Sequence, residues 1–294
     1  MNCIDQVVTD KYALYHGDCV DVLKGLPDQS VGYSIFSPPF ASLYTYSNSP
    51  RDMGNVRNDD EFFEHFDYLI KELARVIKPG RNISFHCMDM PASKERDGYI
   101  GLKDFPGELL RAFQRHGFIF HSKVTIWKDP VTAMQRTKAL GLLHKSVREN
   151  SAMCRQGIPD YLITVRSPGV SERVTHGAEF PVDLWQKVAS PVWMDINPSD
   201  TLQYRSAREH DDERHIAPLQ LEVIRRGIML WTNPGDIVLT PFLGIGSEAY
   251  VALQMGRRAV GVELKKSYFD QAVRNLAAAQ AHTSGDMFAE PAAA

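Results

Sequence analysis

The chain has 294 residues, 44% of them hydrophobic and 23% charged, with a formal net charge of −3. That is the composition of an ordinary globular protein, long enough to bury about 75% of its unfolded surface without a disulfide or metal staple. Cys3, Cys19, Cys87 and Cys154 stand far apart, with no Cys-x-x-Cys or Cys/His ligand spacing, which excludes a zinc motif and suits a reducing compartment. The first ten residues hold no apolar signal core, and no apolar run reaches transmembrane length, so a soluble, unexported, cytoplasmic protein is expected. The mild acidity excludes no nucleic-acid partner, because a DNA-binding face needs only local positive charge.

Residues 12–15 are a short aromatic-rich run ending at Gly17-Asp18, read as a strand and turn. Residues 31–36 are a second apolar run, stopped by Pro38-Pro39. Residues 61–77 carry Phe62, Phe66, Leu69, Leu73 and Ile77 at helical spacing, and Pro79-Gly80 ends them. A strand at 82–87, a helix at 105–116 stopped by Gly117, and a long strand at 118–127 follow. From 129 to 156 periodicity is poor and basic residues dominate; 161–165 reads as one strand; 167–212 is rich in Pro, Ser, Asp and Arg, with Trp185 and Trp193 read as packing residues. Order returns with an amphipathic helix at 218–231, a strand at 236–239, a helix at 247–255, a strand at 259–263 and a helix at 268–279. The small, polar residues 282–294 are expected to be disordered. Strands alternating with helices predict an α/β fold with a largely parallel sheet.

Two segments carry chemistry. Thr240-Pro241-Phe242-Leu243-Gly244-Ile245-Gly246-Ser247 follows a strand and opens a helix, and Glu263 ends the next strand. Glycines there let the backbone approach a ligand, and a terminal acid can accept hydrogen bonds from ribose hydroxyls. A third dinucleotide glycine is absent and no Gly-Lys-Ser/Thr follows, which makes nicotinamide and P-loop readings the weaker ones. Ser37-Pro38-Pro39-Phe40 ends another strand. Its prolines stiffen the backbone and remove two donors, leaving carbonyl oxygens, the Ser37 hydroxyl and the flat Phe40 ring at the end where open α/β sheets build sites. None of the ten histidines stands in a recognisable catalytic spacing.

In kind, order and spacing these motifs resemble the amino-directed DNA methyltransferases of the beta class: catalytic motif first, target-recognition region next, cofactor glycines last. The resemblance covers about residues 12–130 and 213–280. It implies a Rossmann-like class I methyltransferase fold with a mostly parallel seven-stranded sheet, circularly ordered motifs and an inserted recognition region. It divides the chain into a catalytic half (1–130), a recognition region (131–212, with a core strand near 160–166), a cofactor half (213–280) and the tail (281–294). S-adenosyl-L-methionine is the implied cofactor, held by Asp18, His215, Pro218, Phe242, Leu243, Gly244, Gly246, Ser247 and Glu263. Ile126-Trp127-Lys128 resembles the strand end that shapes the target-base pocket.

An exocyclic amine is a poor nucleophile, so acceptors at Ser37 and Pro38 would favour a tetrahedral nitrogen, with Phe40 stacked on the flipped base. No Pro-Cys pair supports a carbon-5 mechanism. Tyr44, Tyr46 and Arg51 beside the catalytic motif, and the basic Arg136, Lys138, Lys145, Arg148 and Arg155, are the candidate DNA contacts. Double-stranded DNA, a homodimer and a role in restriction–modification or stand-alone modification, in a bacterium or phage, are expected. Cytosine N4 and adenine N6 both stay open: in the family, serine in the first motif position leans toward cytosine, while most beta-class members modify adenine. An RNA or small-molecule methyltransferase, or an inactive DNA-binding relative, are the alternatives.

Overall fold

A computed structural model describes residues 2–40, 53–54, 59–92, 94–132, 144–149, 157–171, 180–203 and 218–285. In chain order the strands are β1 (Asp5–Val8), β2 (Tyr12–His16), β3 (Tyr33–Phe36), β4 (Asn82–Cys87), β5 (Met90–Ala92), β6 (Gly101–Lys103), β7 (Ile119–Ile126), β8 (Asp160–Arg166), β9 (Val192–Trp193), β10 (Ile237–Thr240) and β11 (Arg258–Glu263). The helices are α1 (Cys19–Leu23), α2 (Asp59–Val76), α3 (Lys94–Asp97), α4 (Phe105–Arg115), α5 (His144–Glu149), α6 (Val182–Val188), α7 (Leu221–Trp231), α8 (Ser247–Gln254) and α9 (Lys266–Gly285).

Nine strands form one sheet in the order β1-β2-β11-β10-β3-β4-β8-β7-β9. β2, β11, β10, β3 and β4 are parallel neighbours, so their C-terminal ends share one edge. β8 runs antiparallel between β4 and β7, which brings its first residue, Asp160, to that same edge. The expected seven strands are the centre of this sheet; β1 and β9 are short additions at its two margins.

The sequence explains the layers. α2 opens with Asp59, Asp60 and Glu61, which suit the positive end of a helix, and buries Phe62, Phe66, Leu69, Ile70 and Leu73 on one stripe. With residues of α1 and α4 that stripe packs on one face of the sheet, against Ile83, Phe85 and Val165. The other face carries Val223, Ile224 and Ile228 of α7, Ala249 and Ala252 of α8, and Phe269, Ala272 and Leu276 of α9. The parallel strands are therefore covered on both sides, as such sheets require.

Several expectations shift. The helix expected from residue 218 starts at Leu221, leaving Pro218 in the approach to it. α9 runs past the expected end of order to Gly285; residues 286–294 of the expected tail lie outside the described residues. The Pro/Ser-rich stretch also contributes to the core. β9 pairs with β7, and Trp193 is 1% exposed, its indole donating to the Val188 carbonyl. Trp193 thus packs as expected, whereas Trp185 is half exposed.

Candidate active site

β10 ends at Thr240, and the chain turns through residues 241–246 into α8. Gly244 and Gly246 both take positive φ, 53° and 94°, a region costly for residues with a Cβ. A Cβ on Gly244 would meet nothing within 4 Å, whereas one on Gly246 would lie 2.9 Å from Leu276 Cδ1 and 3.2 Å from Ala272 Cβ. Gly244 therefore keeps the turn open, and Gly246 lets it press on α9. Asn275 of α9 adds a 2.8 Å bond to the Ile245 carbonyl.

Glu263, at the end of β11, accepts from the Gly244 amide (2.7 Å) and the Lys265 amide (2.8 Å). The acid expected to meet a ligand is also what fixes the glycine turn. Gly17 donates to the Glu263 carbonyl at 2.9 Å, which brings Asp18 alongside. Asp18 caps α1, its Oδ1 accepting from the Asp21 amide at 3.0 Å. Leu243 is buried beneath Gly261, and Phe242 packs its ring 5.7 Å from that of Phe36, so both contribute packing behind the turn. Ser247 is buried at the start of α8. Pro218 is half-buried.

Ser37 to Phe40 leave the adjacent strand, β3. Ser37 Oγ lies 3.2 Å from His86 Nδ1. The other ring nitrogen, Nε2, lies 3.2 Å from Asp160 Oδ2, off the N–H direction, so the contact is an ion-pair approach rather than an aligned hydrogen bond. Asp160 also receives the Lys128 ammonium at 2.5 Å. Burial alone would push the Asp160 carboxyl up, but the His86 ring and Lys128 beside it hold it below its ordinary value. Phe40 is half-buried with its ring 6.1 Å from that of Phe105.

Of the expected catalytic and cofactor residues, Ser37, Pro38, Pro39, Phe40, Asp18, Leu243, Gly244, Gly246, Ser247 and Glu263 thus meet along one sheet edge. His215, Tyr44, Tyr46, Arg51, Arg136, Lys138 and Arg155 lie outside the described residues. Lys145 and Arg148 are exposed on α5. One expectation is corrected: the histidines do include a member of a constellation. Ser37, His86 and Asp160 are far apart in sequence and are joined only by the pairing of β3 with β4 and of β4 with β8. The available signal was the position of His86 and Asp160, each a polar residue at the end of an apolar strand.

Residues 33–274 match the model of the DNA methylase family, of the N6-adenine and N4-cytosine type. The chain belongs to this family. The methylase is 24% identical to the type II methyltransferase M.BglII of Bacillus subtilis over 90% of its own length and 68% of that protein's. It is also 24% identical to the DNA adenine methyltransferase YhdJ of Escherichia coli K12, over 93% and 85%. In fold it resembles TTHA0409 of Thermus thermophilus, in its complex with S-adenosyl-L-methionine, with a TM-score of 0.67 at 22% identity, covering 92% and 95% of the two chains. The cytosine-N4-specific PvuII DNA methyltransferase matches with a TM-score of 0.65 at 17% identity, covering 100% and 92%.

S-adenosyl-L-methionine is the methyl donor of this family, and the methylase has the features to hold it. The space over Gly244 is open to a close ligand. Thr240 Oγ1, Gln220 Oε1 and Ser267 Oγ are buried without hydrogen-bond partners among the described residues. All three stand where β10 ends, α7 begins and α9 begins, at the same edge of the sheet. Buried polar atoms are ordinarily paired, so three at one edge fit a polar ligand.

Proposed function

We propose that this methylase transfers a methyl group from S-adenosyl-L-methionine to the exocyclic amine of a base flipped out of double-stranded DNA, adenine N6 or cytosine N4. One observation carries the reading. The glycine turn and Glu263 end β10 and β11, while Ser37-Pro38-Pro39-Phe40 ends β3, the hydrogen-bonded neighbour of β10. Adjacent parallel strands are about 4.8 Å apart, so a donor held by the turn and an amine held by Ser37 would be neighbours.

When bound, the cofactor supplies an electrophilic sulfonium methyl. The chain's own residues do the rest. Ser37 Oγ and the Pro38 carbonyl accept the two amine hydrogens and favour a nitrogen with an available lone pair. Phe40 offers a ring face to the flipped base, returning about 1–3 kcal/mol of the unstacking cost. Orientation of two bound reactants is worth about 7–11 kcal/mol of barrier, so no covalent nucleophile is required.

The expected result of incubating the protein with labelled cofactor and duplex DNA is N6-methyladenine or N4-methylcytosine, resolved by nucleoside mass spectrometry. Label on RNA alone, or as 5-methylcytosine, would overturn the reading. Phe40→Ala should keep cofactor binding and lose most turnover. Ser37→Ala should keep part of it through the Pro38 carbonyl.

A further inference from the structure

We propose that His86, seated between Ser37 and Asp160, is a positioning residue that makes the Ser37 hydroxyl an acceptor and takes up the proton the amine releases. The inference rests on the reading of Ser37 given above and deepens it.

The argument begins with an asymmetry in hydroxyls. A serine can donate or accept, and only an accepting Ser37 helps an amine that offers N–H groups. His86 Nδ1 stands 3.2 Å from Oγ. If Nδ1 is unprotonated, it accepts the Ser37 proton, and both lone pairs of Oγ turn outward to the site. If Nδ1 carries a proton, it donates to Oγ instead and frees the hydroxyl proton to point at the base. The tautomer of one buried ring therefore sets the polarity of the catalytic motif.

Asp160 selects that tautomer. Its Oδ2 lies 3.2 Å from Nε2, and although the contact is not an aligned hydrogen bond, the negative charge beside Nε2 favours the proton of the neutral ring there rather than on Nδ1. Nε2 is buried and makes no hydrogen bond among the described residues, so the Asp160 carboxylate acts on it through charge alone. His86 is 9% exposed and Asp160 3%, and both leave the sheet at the edge where β3 ends. Lys128, just beyond β7, holds the other oxygen of Asp160 at 2.5 Å. The charged groups around His86 are thus Asp160 from β8 and Lys128 beyond β7. On the opposite face of β4 stand Cys87, with its thiol pushed up by burial, and Asp89 and Lys123, which flank the Tyr161 ring.

The same geometry moves a proton. Methylation leaves the amine cationic, with one proton too many. That proton passes to Ser37 Oγ, and the nitrogen keeps the N–H electron pair. The proton originally on Ser37 passes to His86 Nδ1. The imidazolium so formed lies against the Asp160 carboxylate, and its proton returns through Ser37 to water after product leaves.

Two measurements test this, one of them without cofactor or DNA. Imidazole nitrogen shifts of the apoenzyme, assigned with His86→Asn, should show the neutral His86 ring protonated on Nε2. Its titration midpoint should fall in Asp160→Asn and rise in Lys128→Gln, because the two variants remove opposite charges. Single-turnover rates should fall on the acid side with that same midpoint. His86→Ala should lose about 10²–10³-fold in rate with cofactor affinity unchanged by calorimetry. His86→Asn, which keeps an acceptor for Ser37 but cannot take a proton, should lose the acid limb and recover part of the rate. A ring protonated on Nδ1, or an acid limb that survives in His86→Asn, would overturn the inference. Wild-type rates in Ser37→Ala would instead remove the reading of the site on which it rests. A slow Ser37→Ala beside unaffected His86 variants would remove the His86 role alone.

Discussion

Gly244 and Gly246 share a turn and a positive φ, yet their surroundings separate what each substitution should do. A side chain at Gly244 enters open space over the turn, where the cofactor would lie. Gly244→Val is expected to abolish cofactor binding in calorimetry, with only the modest loss of stability that a left-handed residue costs, about 1–2 kcal/mol. Gly246→Val collides with Leu276 and Ala272 of α9, and should lower the melting temperature much further. Equal affinity in wild type and Gly244→Val would refute the assignment of this turn. Glu263→Ala removes a carboxylate that already accepts from Gly244 and Lys265. Its cost in affinity should reach at least the value of a charge-assisted hydrogen bond, about 1.5–3 kcal/mol, because the turn loosens as well. The glycines and Glu263 were legible in the sequence because their chemistry is local to each residue type. His86 was not, because its meaning depends on Ser37 and Asp160, which only strand pairing brings near.

At the scale of elements, α2, α4 and α7 were legible because each carries its own apolar stripe. β1 and α1 were not: β1 is a largely exposed edge strand, and α1 has five residues, too few to show a period. The docking of β9 was hidden for another reason. Trp193 sits beneath Arg226, which is 1% exposed and pairs with Glu222 of its own helix and with Asp195 beyond β9. No pattern within residues 167–212 foretells a partner on α7. The pairing with Arg226 and Lys187 holds the Asp195 carboxyl well below the usual range. Within α8, Glu248 lies buried in the first turn, and burial pushes its carboxyl up to about 8. From the ordinary 4.5 to about 8, the folded chain therefore keeps a proton that the unfolded chain has lost. Stability should fall as pH rises through that window and level off above it. Denaturant unfolding between pH 5 and 9 is expected to show this slope in wild type and a flatter one in Glu248→Gln. Identical slopes would mean that Glu248 ionises freely in the folded protein.

For the whole molecule, the α/β class followed from alternation of elements, while the placement of both motifs at one edge followed from chain direction, because five parallel strands end together. We propose that the region from 129 to 212 reads DNA and that the enzyme acts as a homodimer, since one copy of so short a region spans few bases and specific DNA interfaces bury about 1,000–2,500 Å². On α5, Lys145 lies 3.2 Å from Glu149, with both side chains mostly exposed. Such a surface pair is worth about 0–1 kcal/mol, which leaves Lys145 available to a phosphate, and Arg148 is exposed on the same helix. Each genuine phosphate contact contributes about 0.9 to the slope of log affinity against log salt. Lys145→Ala with Arg148→Ala should therefore flatten that slope by about 1.8, while preference among sequences is unchanged. Adding neutral residues at Arg136, Lys138 and Arg155 should flatten it further. Unchanged slopes in the fivefold variant would move the DNA path elsewhere on the protein. Light scattering on the protein–DNA complex addresses the second half of the proposal: a species with one protein chain per duplex at working concentration would remove the dimer. A second recognition surface would then have to come from the same chain.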